Sequence, residues 1–504
     1  MLATVGGSTR ESALQRHRRG VLVFTSIGVF AAALDTSKVA IALPVLGPRL
    51  HLGYVGALWV AAALSLTLSM FLIPLGRLAD TRGHIVCFHA GVAIFGVCSV
   101  AAALAPNGLT LIASRAVQGI GNAFIFAIGA AVITAVFPAG ERGRALGLNV
   151  MCTYVGLTLG PPVGGLILAH LGWRWLFWSN VPLAVVTLAV GWTLIGVERS
   201  DRRIAARHDQ PQAPAGGVDA AGTMLLGAFL LALFVPLTFS PLWGWKDART
   251  LVPLVASVGL LIAFIVVEDR VRAPVLDLGL LRGNRPFVAA NVASFLNYAA
   301  CYGVTICAAL LLEIVQGRSA QSSGLILLVQ PLFMAALTPF TGRLSDRVGT
   351  RVLSVTGMVL IAAGMVVMST VSAHTPVWRI VVALAVLGVG TASFSVPNMS
   401  AVMGAAPRTQ LSLASGFLAT MRFCGQGFSV ALLGAIAASR LGQEGARVIL
   451  LGPAAGAASS ASLAAGFRDA MLAGAALALL GAAVSLAAAP NLPVDDLAPA
   501  GTRG

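Results

Sequence analysis

The chain alternates between long apolar runs and short polar breaks. Roughly fourteen runs occur, each about twenty residues long, which is the length that spans a bilayer core at about 1.5 Å of helix rise per residue. We place them at 21–46, 55–75, 86–105, 109–134, 144–169, 175–197, 220–240, 250–268, 287–312, 323–341, 353–371, 378–402, 412–438 and 467–489. Each is predicted to be a helix, because lipid offers no partner to a free backbone amide or carbonyl. One polar position breaks the pattern from inside a run. Asp35 sits within the first, VFTSIGVFAAALDTSKVAIALPVL. A charge near the middle of a membrane helix costs about 2.5–3.5 kcal/mol even on lenient scales and is retained for pairing, binding or proton carriage.

Composition agrees with this class. Hydrophobic residues make up 58% and charged residues 10%, against about 25% charged in a soluble domain. The expected fold is all-α and integral to the membrane. A net charge of +15 does not imply nucleic acid here, because the basic residues lie in short loops where they act as topology signals. The six cysteines fall within or beside apolar runs without metal-ligand spacing, and are expected to be small core residues. There is no HExxH among the seven histidines, no GxxxxGK[ST] and no GxSxG. The expectation is therefore no metal, no cofactor, no nucleotide-driven step and no enzyme.

Arginine placement orients the bundle. One side collects Arg10, Arg16, Arg18 and Arg19, then Arg77 and Arg82, Arg142 and Arg144, a group from Arg199 to Arg207, Arg282 and Arg285, and Arg343, Arg347 and Arg351. That richer side is expected to be cytoplasmic, which puts both termini inside and makes the chain a multi-pass protein of the inner (plasma) membrane. The N-terminus shows no signal-peptide cleavage pattern and reads as a tail leading into a retained span. The divisions are a tail at 1–20, a six-helix bundle at 21–197, a Pro/Gly/Ala-rich cytoplasmic linker at 198–218, an inserted helix pair at 219–270, a second six-helix bundle at 271–489, and a tail at 490–504. In a long outer loop near 440–466, VILLG could form a hairpin strand.

The linker separates two related halves, since GRLADTRGH at 76–84 recurs as GRLSDRVGTR at 342–351. In the first copy, Gly76 and Gly83 permit a tight turn between helices, Asp80 can accept bonds at a helix N-terminus, and Arg77 and Arg82 can pair with acids or face headgroups. Gly342, Arg343, Asp346 and Gly349 hold the matching places. The pair reads either as a conformational latch or as a tight turn with topology charges.

The repeat resembles the cytoplasmic loop signature of the major facilitator superfamily. In order, LDTSKVAIALP at 34–44 is similar to the first-helix signature of its fourteen-span drug:proton antiporters, RAVQGIG at 115–121 to the fourth-helix signature, and GLTLGPPVGG at 156–165 to the fifth-helix antiporter signature. WRWLFWSNVP at 173–182, DAAG at 219–222, APVLDLGLLRGNRPF at 273–287 and SGFLATMRFCGQG at 415–427 follow in the group's order. The resemblance implies two six-helix bundles plus two further helices, with export of drugs or antiseptics in exchange for protons. It also gives Arg115 a role in proton coupling, acting on the proton affinity of a nearby acid. The chain departs from the pattern at Lys38, where the group usually has an apolar residue, and at Ala40, where it has Asn.

Several residues become candidates. Asp35 carries the proton or meets the substrate, or else forms a static pair with Lys38, three residues on and nearly on the same helix face, and Lys38 is itself a candidate substrate contact. Arg115 works with it or ties the end of its span. Gln118, one turn further, can bond the same partner or a substrate. Gly156, Gly160 and Gly164 share one face that lets another helix approach, and Pro161 and Pro162 can bend the helix beside Gly165. The resemblance implies that this bend closes the cavity to leakage. Tyr298 and the other aromatic and Met side chains, among them Trp59, Phe124, Met151, Phe295 and Phe394, could line a substrate path. Glu313 near the outer interface is either solvated or attracts cationic substrate, and Arg422 contacts substrate or pairs across the bundle. Glu268 and Asp269 are expected to be interfacial.

The expected function is proton-coupled export of amphipathic drug-like or natural-product molecules by alternating access, with a proton gradient as the energy source. The partners expected are the lipid bilayer, a small-molecule substrate and protons, with no nucleic acid and a monomeric state. A proton-coupled importer or facilitator of the same fold, a receptor or scaffold without transport, and a lipid flippase remain open.

Overall fold

The computed structural model describes residues 2–137, 139–207, 219–271, 278–407, 411–440 and 457–487. The helices are α1 (Leu2–Arg49), α2 (Tyr54–Arg82), α3 (His84–Ala103), α4 (Gly108–Val136), α5 (Ala139–His170), α6 (Arg174–Trp178) and α7 (Asn180–Arg207). They continue with α8 (Ala220–Trp243), α9 (Ala248–Glu268), α10 (Leu278–Leu281) and α11 (Arg285–Leu310), which runs into a π-turn at Leu311–Val315. Then follow α12 (Ala320–Leu327), α13 (Val329–Val348), α14 (Thr350–Ser369), α15 (Val377–Ala405), α16 (Leu411–Ser439) and α17 (Ala457–Ala487). Among the described residues, 14 helical stretches are long and apolar enough to cross a membrane, and no strand occurs. VILLG lies outside the described residues, as do the linker from 208 to 218 and the tail from 490.

Two compact units emerge: Met1–Pro236 with Leu251–Val275 and Ser319–Gly324, and Leu237–Thr250 with Leu276–Arg318 and Leu325–Gly504. Each is built on the same pairing plan. In the first, α1 packs on α5, α2 on α4, and α3 on both α4 and α7. In the second, α11 packs on α16, α13 on α15, and α14 on both α15 and α17. Glycines mark the tightest crossings. A Cβ on Gly91 would lie 2.9 Å from the Gly121 carbonyl oxygen, and one on Gly357 would lie 2.7 Å from that of Gly390. Bare backbone at these points lets α3 meet α4, and α14 meet α15, at van der Waals contact.

The sequence repeat has one geometry in both units. Gly83 (φ 114°) separates α2 from α3, and Gly349 (φ 94°) separates α13 from α14. Their amides each donate 2.9 Å back into the preceding helix, to the Ala79 and Ser345 carbonyls. These positive φ values require glycine. Gly76 and Gly342 are not turn residues, contrary to the reading of the motif: both lie inside helices, with room for a Cβ 3.7 Å from Ala127 and 3.4 Å from Val396 respectively. Arg82 and Arg343 are exposed and Arg77 is half-buried. The side chains of Asp80 and Asp346 lie outside the described residues. A Gly83→Ala change is expected to cost about 1–3 kcal/mol through this backbone strain, read as a lower unfolding temperature of the purified protein.

Candidate functional site

The polar centre of the first unit assembles from five elements. Asp35 and Lys38 come from the middle of α1, where the surrounding apolar run keeps both at 0% exposure. Arg115 and Gln118 are one turn apart on α4, also buried. Ser99 comes from α3. Ser179 and Asn180 stand at the junction of α6 and α7, where the helix is interrupted for a single residue.

Their bonds form one connected network. Arg115 Nη1 donates to Asp35 Oδ2 at 2.5 Å and to Gln118 Oε1 at 2.7 Å, while its Nε donates to the Val60 carbonyl of α2 at 3.2 Å. The guanidinium carbon lies 5.7 Å from the centre of the Phe177 ring. Asn180 Nδ2 donates to Asp35 Oδ1 at 2.7 Å and to Ser99 Oγ at 3.1 Å. Gln118 Nε2 reaches the same Ser99 Oγ at 3.0 Å. Lys38 Nζ donates to Ser179 Oγ at 2.8 Å and to Asn180 Oδ1 at 2.5 Å. The direct Asp35–Lys38 pair open from sequence is therefore not what forms. Arg115 takes the carboxylate, and Asn180 stands between it and the lysine. The planar guanidinium spreads its N–H groups over a wide fork, so one side chain spans the carboxylate, Gln118 and the Val60 carbonyl on separate elements.

Backbone packing seals this cluster. A Cβ on Gly156 would lie 2.7 Å from the Phe30 carbonyl oxygen, one on Gly160 would lie 2.9 Å from the Lys38 nitrogen, and one on Gly164 would lie 2.9 Å from the Lys38 carbonyl oxygen. The three glycines thus share the face of α5 that lies along α1, as their four-residue spacing requires. Ser37 Oγ donates across the seam to the Leu157 carbonyl at 2.8 Å. Gly165 faces Ala320 of the Ser319–Gly324 segment in the same unit, and α5 continues through Pro161 and Pro162.

One signal in the sequence could have exposed part of what was missed. Asn180 follows Ser179 in the middle of an apolar run, inside WRWLFWSNVP, and a polar pair there needs partners. Ser99 carried no signal beyond its position within a span.

A family model for the Major Facilitator Superfamily matches residues 25–272 and 290–504. The chain belongs to the major facilitator superfamily. It is a transporter of that superfamily and not an enzyme. The chain is 31% identical over 422 residues to the multidrug resistance protein Stp of Mycobacterium tuberculosis, covering 83% of this chain and 76% of that one. It is 30% identical to the tetracenomycin C resistance and export protein of Streptomyces glaucescens, covering 86% and 78%. It is 26% identical to the riboflavin transporter RibZ of Clostridioides difficile, covering 80% and 84%. Among solved structures, a bacterial homologue of the human lysosomal transporter Spinster, inward-facing and unoccupied, matches with a TM-score of 0.65 at 15% identity, over 94% of this chain and 97% of that one. That likeness supports the superfamily fold.

The second unit of this superfamily member carries different chemistry at the equivalent seam. Arg422 of α16 places its guanidinium 5.0 Å from the Tyr298 ring centre on α11, and both are half-buried. Gly425 admits the α11 backbone, since a Cβ there would lie 2.6 Å from the Phe295 carbonyl oxygen. Glu313 departs from the solvated reading: it sits on the π-turn with Oε1 buried and without a hydrogen-bond partner. Glu268 is buried within the protein, and it approaches Asp219 across Gly222. Phe124 and Phe394 are core residues, whereas Met151 is exposed.

Asn180 is the keystone of the first-unit network, so Asn180→Ala removes bonds from Asp35, Lys38 and Ser99 together. The expected cost is about 1–3 kcal/mol for the buried groups left unsatisfied, measured as a fall in unfolding temperature in detergent.

Proposed function

We propose that this chain is a proton-coupled exporter of amphipathic drug-like or natural-product molecules, acting by alternating access as a monomer in the plasma membrane with both termini cytoplasmic. The observation that carries the reading is the fully buried Asp35–Arg115 pair, hydrogen-bonded inside a span and sealed by the glycine face of α5. Breaking such a pair is costly, so a conformation that hydrates it is strongly coupled to the charge of the cluster. Relatives named for drug resistance and for export support the substrate class and the direction. No cofactor is needed, since one proton crossing about 100 mV releases about 2.3 kcal/mol.

The test is transport by inverted vesicles carrying the full chain. An exporter accumulates a lipophilic dye inside them when the lumen is acidic, and an uncoupler abolishes this. Uphill accumulation that persists with no pH or voltage difference defeats the proposal. Import is the second reading, favoured by the relative named as a riboflavin transporter; it gives gradient-driven loss from the same vesicles.

A further inference from the structure

The buried cluster has more donors on Lys38 than acceptors to receive them. An ammonium carries three N–H groups and a neutral amine two. Lys38 Nζ has two acceptors, Ser179 Oγ and Asn180 Oδ1. Neither can be turned to better use. Ser179 Oγ spends its own proton on the Leu176 carbonyl at 2.8 Å, and Asn180 directs its amide protons to Asp35 and Ser99. At 0% exposure no solvent completes the set. The amine matches its surroundings bond for bond, whereas the ammonium leaves one N–H and one charge uncompensated.

The other two ionisable members lack this freedom. Both Asp35 oxygens are occupied by donors, Oδ2 by Arg115 and Oδ1 by Asn180. Adding a proton there strips Arg115 of its counter-charge inside a buried cluster. Arginine does not give up its proton in proteins. The charged groups near enough to act on Lys38 are Asp35 on its own helix and Arg115 on α4. Of the neighbouring elements, α3 presents the Ser99 hydroxyl and the buried Cys98 thiol, the α6–α7 junction presents Ser179 and Asn180, and α5 presents Gly160 and Gly164.

We propose that Lys38 Nζ is the atom that takes up and releases the transported proton, while the Asp35–Arg115 pair keeps its charges throughout. The proposal rests on the proton-coupled reading above and deepens it. The step balances simply: the amine lone pair binds a proton from water on one side, the cluster passes from net 0 to net +1, and release to the other side restores it. No covalent bond between heavy atoms changes. The +1 form demands hydration and so favours parting of the α1–α5 seam, where Gly160 and Gly164 rest on the Lys38 backbone. The neutral form favours the closed seam seen here.

The chain offers a direct probe, because Lys38 and Lys246 are its only lysines. Full-length protein labelled with carbon-13 at lysine Cε gives two side-chain signals in lipid nanodiscs, and Lys246, being exposed, serves as the internal reference. Lys246→Arg assigns them without touching the cluster. The expected result is a Lys38 signal that switches between the amine and ammonium positions as pH is varied across the range that drives transport, while Lys246 stays at the ammonium position. A Lys38 signal held at the ammonium position throughout overturns the assignment of the proton to Lys38. Should Lys38 switch while vesicle transport ignores the gradient, the coupled-export reading fails and the Lys38 titration stands.

Discussion

Asp35→Asn is expected to insert in the membrane but to lose the ability to hold a substrate gradient. One proton moving through about 100 mV supplies about 2.3 kcal/mol, which corresponds to roughly a 50-fold accumulation at about 1.4 kcal/mol per tenfold. The variant is expected to fall to a ratio of about one, because the energy no longer reaches the gate. The reason is electrostatic. Asp35 is the sole anion in a cluster that also holds Arg115 and Lys38, all fully buried. Removing its charge leaves Arg115 uncompensated, at a cost of about 3–5 kcal/mol for a broken buried pair, so the closed seam is no longer the stable resting form. The check is dye accumulation in vesicles alongside membrane yield. A gradient equal to that of the unmodified chain removes Asp35 from the mechanism.

Gly160→Val is the second large effect. Any Cβ at this position enters the side chain of Ser37 and comes within 2.9 Å of the Lys38 nitrogen. Valine adds two methyl groups where backbone meets backbone. Overpacking of this kind costs about 1–3 kcal/mol, which shifts the balance towards a parted α1–α5 seam by about 5- to 150-fold. Water then reaches the cluster without substrate. The expected phenotype is proton leak: liposomes with an imposed pH difference lose it faster than those holding the unmodified protein, as read by a trapped pH dye. Equal decay rates mean that the glycine face does not seal the cluster. The same reasoning applies to Gly164, which rests on the carbonyl and Cβ of Lys38.

The membrane helices are legible in the sequence alone, because lipid imposes a length and an apolar composition that few other structures share. The internal repeat was equally legible, and Gly83 and Gly349 occupy the same left-handed turn in both units. Reading Gly76 and Gly342 as turn residues failed for a local reason. Both continue their helices with room for a Cβ, and spacing does not separate a glycine within a helix from one at a turn. The α5 glycines were read correctly as one face, but the sequence did not name the helix they meet.

Asp35, Arg115 and Gln118 stood out because each is expensive in a span. How they pair is another matter. Proximity along α1 suggested Lys38 as the partner of Asp35, since residues three apart share a face. The structure brings Arg115 from 80 residues away to the carboxylate, and Asn180 from 145 residues away to part the acid from the lysine.

What the amino-acid order determined alone is which residues must be helical and buried in lipid, and which polar groups are too costly to stand there unpartnered. Tertiary structure alone decided who satisfies whom. Hydrogen-bond geometry depends on ångström-scale distances between helices far apart in the chain, and only the packing of α1 against α4, α5 and α7 sets those distances.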